Sequence, residues 1–245
     1  MEKKNKIVLF FDYHLGFKLA KFLKYKKENV VGLVFDNKTK VPFSEDYKNK
    51  IKNLFKLQKY NIFEWSELNK KKNFEKLKKL NSDFFICVNF PKILNQKIIS
   101  CAKNSINLHL SYLPFNRGKN PNVWSIIEST PCGATIHKID EKIDTGKIYV
   151  RKKIVPSFID TAESTYLKCN DAAYDLFKKY WDKIKKNKIQ PIKQNNNLKT
   201  FHLSKDFKKL GYINLNKKYK AKDLINLLRA KTFKSFDSAY FFIKT

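Results

Sequence analysis

The chain has 245 residues, 42% of them hydrophobic, and a formal net charge of +30. That is enough apolar material for one domain with an appendage or for two small domains. No apolar run reaches the ~20 residues of a membrane span, and the run from Ile7 to Phe11 is too short for a secretory signal, so a soluble cytoplasmic protein with no membrane partner is expected.

Lys6 to Phe11 reads as a first buried strand, and His14 to Lys26 as a helix with Leu15, Leu19, Phe22 and Leu23 on its apolar stripe. Val30 to Phe35 is a second strand. Ser44 is a candidate cap for a helix to about Leu57, and Ser66 or Asn69 for one to Leu80. Phe84 to Val88 is a buried strand ending in Asn89-Phe90-Pro91, and a short helix near Lys92 to Ser100 follows it. In the next strand, Ser105 to Leu110, Ile106, Leu108 and Leu110 share one face. Alternation therefore projects Asn107 and His109 together from the other. The loop Leu113 to Pro121 contains two prolines, a glycine and Arg117, and Pro121 suits the first turn of a helix carrying Trp124 and Ile127. Cys132 to Ile139 and Lys147 to Ile154 read as adjoining strands separated by the turn Ile143-Asp144-Thr145-Gly146. A long helix spans about Thr161 to Lys186. The Asn-rich stretch Gln190 to Thr200 reads as a linker or exposed loop. Phe201 to Leu215 is expected to hold a hairpin around Lys208 to Gly211, followed by a helix from Ala221 to Ala230 and an aromatic strand from Ala239 to Ile243. Strands alternating with helices imply an α/β fold, an open sheet with helices on both faces.

Only Arg117, Arg151 and Arg229 among the 52 basic residues are arginine, and the lysines are spread along the chain. Readers of bases and phosphates lean on the bidentate arginine fork, so solvated lysine faces are expected rather than a nucleic-acid partner. The positive field would still draw in an anionic substrate. Cys87, Cys101, Cys132 and Cys169 lack the close spacing of a zinc or redox pair and are expected to be reduced, mostly buried thiols. No metal site is expected: the four histidines have no ligand spacing.

An amide beside an imidazole on one strand face can hold an oxyanion and move a proton, and an Asp on a glycine-containing turn could orient the imidazole or take the proton itself. Asn107-Leu108-His109, Leu113-Pro114-Phe115-Asn116-Arg117-Gly118 and Ile143-Asp144-Thr145-Gly146, in that order and at those gaps, resemble the linked motifs of the folate-dependent formyltransferase family. The resemblance covers roughly the first 185 residues. It implies a Rossmann-like sheet flanked by helices with a small C-terminal hairpin and helix appendage. It also implies N10-formyltetrahydrofolate as formyl donor, an amine as acceptor, and Asn107, His109 and Asp144 as catalytic residues. Cofactor contacts are expected at Cys87, Val88, Asn89, Phe90, Arg117 and Gly118. Two departures stand out: Leu110 follows His109 where many relatives have Pro, and Asn116 precedes Arg117 where many have Tyr.

The acceptor is read from the flanks. Phe11-Asp12-Tyr13-His14-Leu15-Gly16 has too few glycines for the ribose-phosphate loop of glycinamide ribonucleotide formyltransferases. Some 60 residues after the long helix are too few for the barrel of methionyl-tRNA formyltransferases. The tail, with Leu228-Arg229-Ala230-Lys231-Thr232-Phe233 and Phe236-Asp237-Ser238-Ala239-Tyr240-Phe241-Phe242, resembles that of short sugar-nucleotide N-formyltransferases. This implies a dTDP-amino-dideoxy sugar as acceptor. The 4-amino-4,6-dideoxyglucose is preferred and the 3-amino isomer is close behind, with a role in bacterial surface polysaccharide. Arg229, Phe236, Tyr240 and Phe241 are then candidate nucleotide-sugar contacts, for the diphosphate and for stacking. The division is residues 1–188 as catalytic domain and 189–245 as appendage, whose aromatics suggest a homodimer. A tRNA formyltransferase without its barrel, and a nucleic-acid-binding module on a degenerate version of the fold, are the alternatives.

Overall fold

The computed structural model describes residues 4–38, 44–234 and 236–243. Its elements in chain order are β1 (Lys6–Phe11), α1 (Tyr13–Tyr25), β2 (Asn29–Phe35), α2 (Ser44–Phe55), β3 (Ile62–Glu64), α3 (Lys71–Lys79), β4 (Ser82–Val88), α4 (Gln96–Ile99) and β5 (Ala102–His109). They continue with β6 (Arg117–Gly118), α5 (Pro121–Ile127), β7 (Cys132–Lys138), β8 (Ile148–Ile154), α6 (Ala162–Lys185), β9 (Phe201–His202), α7 (Ser204–Lys209) and α8 (Ala221–Ala230).

Seven strands form one sheet in the order β3-β2-β1-β4-β5-β7-β8. The first five are parallel, and β7 runs antiparallel to both of its neighbours, β5 and β8. The sheet is therefore mixed. Near-continuous apolar strands such as Ile7 to Phe11 are what a sheet covered on both faces requires. Alternation sorts them: Ile7, Leu9 and Phe11 pack with Leu15, Leu19 and Leu23 of α1 and Phe177 and Trp181 of α6. Val8 and Phe10 pack on the other face with Leu77, Leu94 and Ile98. Strand order reverses between β1 and β4, which opens a crevice at the carboxyl ends of the strands.

Capping sets several helix limits. Thr161 and Ser164 form a reciprocal capping box that starts α6. The Asn95 side chain accepts from Ile98 N and starts α4 later than expected. α3 starts at Lys71, because Ser66 sits in a 3-10 turn, Trp65–Glu67, and caps nothing there. The side chain of Ser44, the expected cap of α2, lies outside the described residues.

The C-terminal part departs from expectation in three places. The hairpin expected around Lys208 to Gly211 is absent; α7 occupies that stretch, its start fixed by Asp206 accepting from Leu203 N at 2.7 Å. The expected strand from Ala239 is a single bridge, Tyr240 to Tyr212, with no neighbouring strand to extend it. The expected linker after residue 190 is docked: Ile192 pairs with Ile148 through both backbone hydrogen bonds, and β9 pairs with β6. All four cysteines are free and buried. No described helix is long and apolar enough to cross a membrane.

Candidate active site

Strand register assembles the site. Asn107 lies opposite Cys87 of β4 and opposite His137 of β7, so those three side chains form one row across the sheet. His109, two residues on, points the same way. The Asp144 turn joins β7 to β8 and swings its carboxylate over this row. Oδ2 of Asp144 lies 3.6 Å from His109 Nδ1, and Oδ1 lies 3.5 Å from His137 Nε2 and 3.4 Å from Asn107 Nδ2.

Two glycines allow this approach. Gly118 has φ +93, and its N–H donates to Asp144 Oδ2 at 2.9 Å. A Cβ there would stand 2.1 Å from the carbonyl oxygen of His202. At Gly146 a Cβ would stand 1.8 Å from the Lys138 carbonyl oxygen, so the turn closes only around a bare backbone.

Hydrogen bonds define the protonation pattern. His109 Nε2 donates to the Asn116 carbonyl at 3.0 Å, which leaves Nδ1 as the open base position beside Asp144. His137 Nδ1 donates to the Lys138 carbonyl at 2.7 Å, so its Nε2 accepts from Asn107 Nδ2 at 3.2 Å. Asn107 Nδ2 thus has two acceptors within reach, His137 Nε2 and Asp144 Oδ1, and its amide lies on the cavity wall. Burial pushes the Asp144 carboxyl up, but His109 and His137, which are protonated at the acid pH where a carboxyl titrates, together with the Gly118 N–H outweigh it and hold the group well below the usual carboxylate range. Burial pushes the His109 imidazole down, partly offset by Asp144 and the Asn116 carbonyl, so it is neutral at pH 7.

These groups face a cavity of about 660 Å³. Its apolar walls include Phe90, Leu94 and Ile139 from the sheet side and Phe207, Phe233 and Phe236 from the C-terminal segment. That size and this mixture of apolar wall and few polar groups suit a small-molecule site.

The expected site residues separate into two groups. Cys87, Asn89, Phe90, Asn107, His109, Gly118, Asp144 and Phe236 line the cavity. Val88 does not: alternation turns its side chain into the core packed against α1 and α6. Arg117 also turns away, its guanidinium held by Gln194 Oε1 and Asn196 Oδ1. Arg229 is spent on the carbonyls of Asp160 and Ser157 and on Asn226 Oδ1, where it ties α8 to the loop before α6. Tyr240 and Phe241 are about half exposed outside the cavity, and Tyr240 packs on Tyr212.

Several lining residues escaped the sequence reading. His137 is one of them, although Thr135 and His137 repeat the polar alternation of Asn107 and His109. Lys119 and Lys231 bring cations to the wall. Burial lowers both, with partial relief for Lys119 from Asp144 and for Lys231 from Asp237. Lys231 is 6% exposed, with its ammonium over the Phe207 ring. Asn116, the departure before Arg117, takes a left-handed φ of 56° that suits Asn. Its side chain bonds Thr130 and Thr200 while its carbonyl receives His109.

A mixed α/β sheet thus carries an amide, an imidazole and a carboxylate over one cavity. The chain belongs to the formyl transferase family: residues 6–180 match Formyl transferase, and residues 206–245 match the N-formyltransferase dimerization C-terminal domain. A dTDP-4-amino-4,6-dideoxyglucose formyltransferase from Mycobacterium tuberculosis is 32% identical over 139 residues, 56% of this chain and 58% of that protein. A methionyl-tRNA formyltransferase from Thermodesulfovibrio yellowstonii is 36% identical over 174 residues, 69% of this chain and 54% of that protein. The crystal structure of a 4-N formyltransferase from Francisella tularensis superposes with a TM-score of 0.77 at 25% identity, covering 97% of this chain and 92% of that one. The chain thus spans little more than half the length of these curated relatives.

Proposed function

We propose that this protein transfers a formyl group from N10-formyltetrahydrofolate to the amine of a dTDP-amino-dideoxy sugar, with dTDP-4-amino-4,6-dideoxyglucose the preferred acceptor. The observation that carries the reading is the convergence of Asn107, His109 and Asp144 on one cavity whose far wall comes from the C-terminal segment. The names of the Mycobacterium and Francisella relatives support the choice of a sugar amine at position 4.

In this reading the neutral amine attacks the formyl carbon, a C–N bond forms, and the carbonyl oxygen gains charge. The Asn107 amide N–H, on the cavity wall, donates to that oxygen. The amine proton passes to Nδ1 of His109, where the Asp144 carboxylate stabilises the resulting imidazolium. The bond from N10 to the formyl carbon then breaks, and His109 returns the proton to N10. His137 fixes the orientation of the Asn107 amide. The donor's ring system lies between Asn89-Phe90 and Ile139, and the acceptor's diphosphate lies toward Lys231, which takes the part first expected of Arg229.

The division into a catalytic domain, 1–188, and an appendage, 189–245, belongs to the same proposal, as do a homodimer, a cytoplasmic location and a role in surface polysaccharide. Incubation with formyl-tetrahydrofolate and a panel of dTDP-amino sugars tests the activity; formylation of none of them would sink it. Formylation of initiator tRNA instead would favour the other branch of relatives.

A further inference from the structure

We propose that Gln194 is a positioning residue, a bracket that holds the Asp144 turn in register with His109. It lies between the two segments matched to known families, residues 6–180 and 206–245, in a stretch that composition alone marks as a linker.

Both ends of its amide are used. Oε1 accepts from Arg117 Nε at 3.1 Å and from Nη2 at 2.8 Å. Nε2 donates to the Asp144 carbonyl at 2.9 Å and to the Gly146 carbonyl at 2.8 Å. Arg117 is 4% exposed and is the middle of three consecutive residues with linked tasks. Asn116 receives His109 Nε2 on its carbonyl, and Gly118 donates its N–H to Asp144 Oδ2. The circuit from His109 through Asn116, Arg117 and Gln194 to Asp144 closes across the 3.6 Å gap between imidazole and carboxylate.

The hold falls on the residue that matters: Asp144 has φ +54, a left-handed conformation that Asp adopts more readily than most side chains, and Gln194 ties the carbonyls of Asp144 and Gly146. The bracket is itself anchored on both sides: Ile192 is bonded to Ile148, and the Thr200 carbonyl accepts from Arg117 N. Losing the two N–H donors would free the turn to drift, and a carboxylate displaced by a fraction of an ångström no longer supports the imidazole. The other charged groups facing His109 are His137 and Lys119, and no hydrogen bond joins either to Gln194 among the described residues.

The inference rests on the formyl-transfer reading for its kinetic consequence only, and the test separates the two. Gln194→Met is close in size, adds no charge and removes both N–H donors to the turn carbonyls. Isotope-labelled histidine NMR on the full chain, with His109 assigned from His109→Asn, follows the imidazole titration directly. Expected for Gln194→Met are a His109 midpoint at lower pH than in the parent, kcat down about 10-fold, and KM for both substrates within about twofold. Unchanged His109 titration in the folded variant overturns the bracket, even where melting temperature and kcat fall. Gln194→Leu, also uncharged and without donors, serves if the methionine variant does not fold. If the parent formylates no acceptor, the activity reading fails and the titration alone decides the bracket.

Discussion

Asp144 sits between two imidazoles and stays ionised, because at the acid pH where a carboxyl titrates the protonated imidazoles and the Gly118 N–H favour the anion more than burial disfavours it. His109 is neutral for the opposite reason: burial wins over the attraction of Asp144. The pair is arranged so that a proton arriving at Nδ1 meets a ready counter-charge. The acid limb of the kcat/KM profile is accordingly expected below the ordinary imidazole pKa of ~6.5. In Asp144→Asn the counter-charge is gone, so the limb moves lower still while the rate falls about 10²-fold. A limb that moves to higher pH would contradict the assignment. For stability the sign is the same. A folded-state pKa below the unfolded one means that stability is lost as pH falls through ~6.5 toward the folded value. Asn107→Ala removes an oxyanion donor and is expected to cost about 10²–10³ in kcat with KM little changed, read from steady-state kinetics.

The two-residue strands β6 and β9 matter out of proportion to their length. β6 carries Arg117 and Gly118, and its pairing with β9 holds the backbone that receives both His109 and Asp144. Gly118→Ala puts a methyl against the His202 carbonyl at a φ that side chains avoid. It is expected to lower the melting temperature and to abolish most activity together, since one displacement breaks the β6–β9 pair and the Asp144 contact. Retention of wild-type kcat would show that the pairing is dispensable. Removing the Thr161 cap of α6 by Thr161→Ala is expected to cost about 1 kcal/mol in chemical denaturation.

Across the whole molecule, charge and apolar surface are segregated by purpose. The +30 net charge is carried mostly by lysines on exposed faces, whereas Lys119 and Lys231 reach the cavity. The C-terminal segment leaves Phe241, Phe242 and Ile243 between about half and three-quarters exposed. Such a surface fits the proposed homodimer. Light scattering is expected to give twice the monomer mass, and Phe242→Lys with Ile243→Asp to give the monomer; a monomeric parent would exclude the dimer. Because Phe207, Phe233 and Phe236 of the same segment wall the cavity, deleting residues 206–245 is expected to raise KM for the acceptor as well.

Local rules were sufficient for much of this protein. Alternation located the apolar strands and put Asn107 and His109 on a shared face, helical periodicity and capping found α1, α6 and α8, and linked motif spacing pointed to Asp144. Those features depend on neighbours in the chain, so they are readable from it. The role of His137 depends on β5 meeting β7 antiparallel in one particular register, which sequence separation hides. The same holds for Arg117 and Arg229, whose guanidinium groups looked available for anions until the fold supplied carbonyls and amides to occupy them. Gln194 is the extreme case: a polar residue in an Asn-rich stretch meets its partners only when the chain folds to bring the Gly146 and Asp144 carbonyls, 48 and 50 positions earlier, within reach of its amide. Hydrogen bonds between distant segments are made by three-dimensional proximity, and that proximity is a property of the assembled sheet rather than of any local stretch.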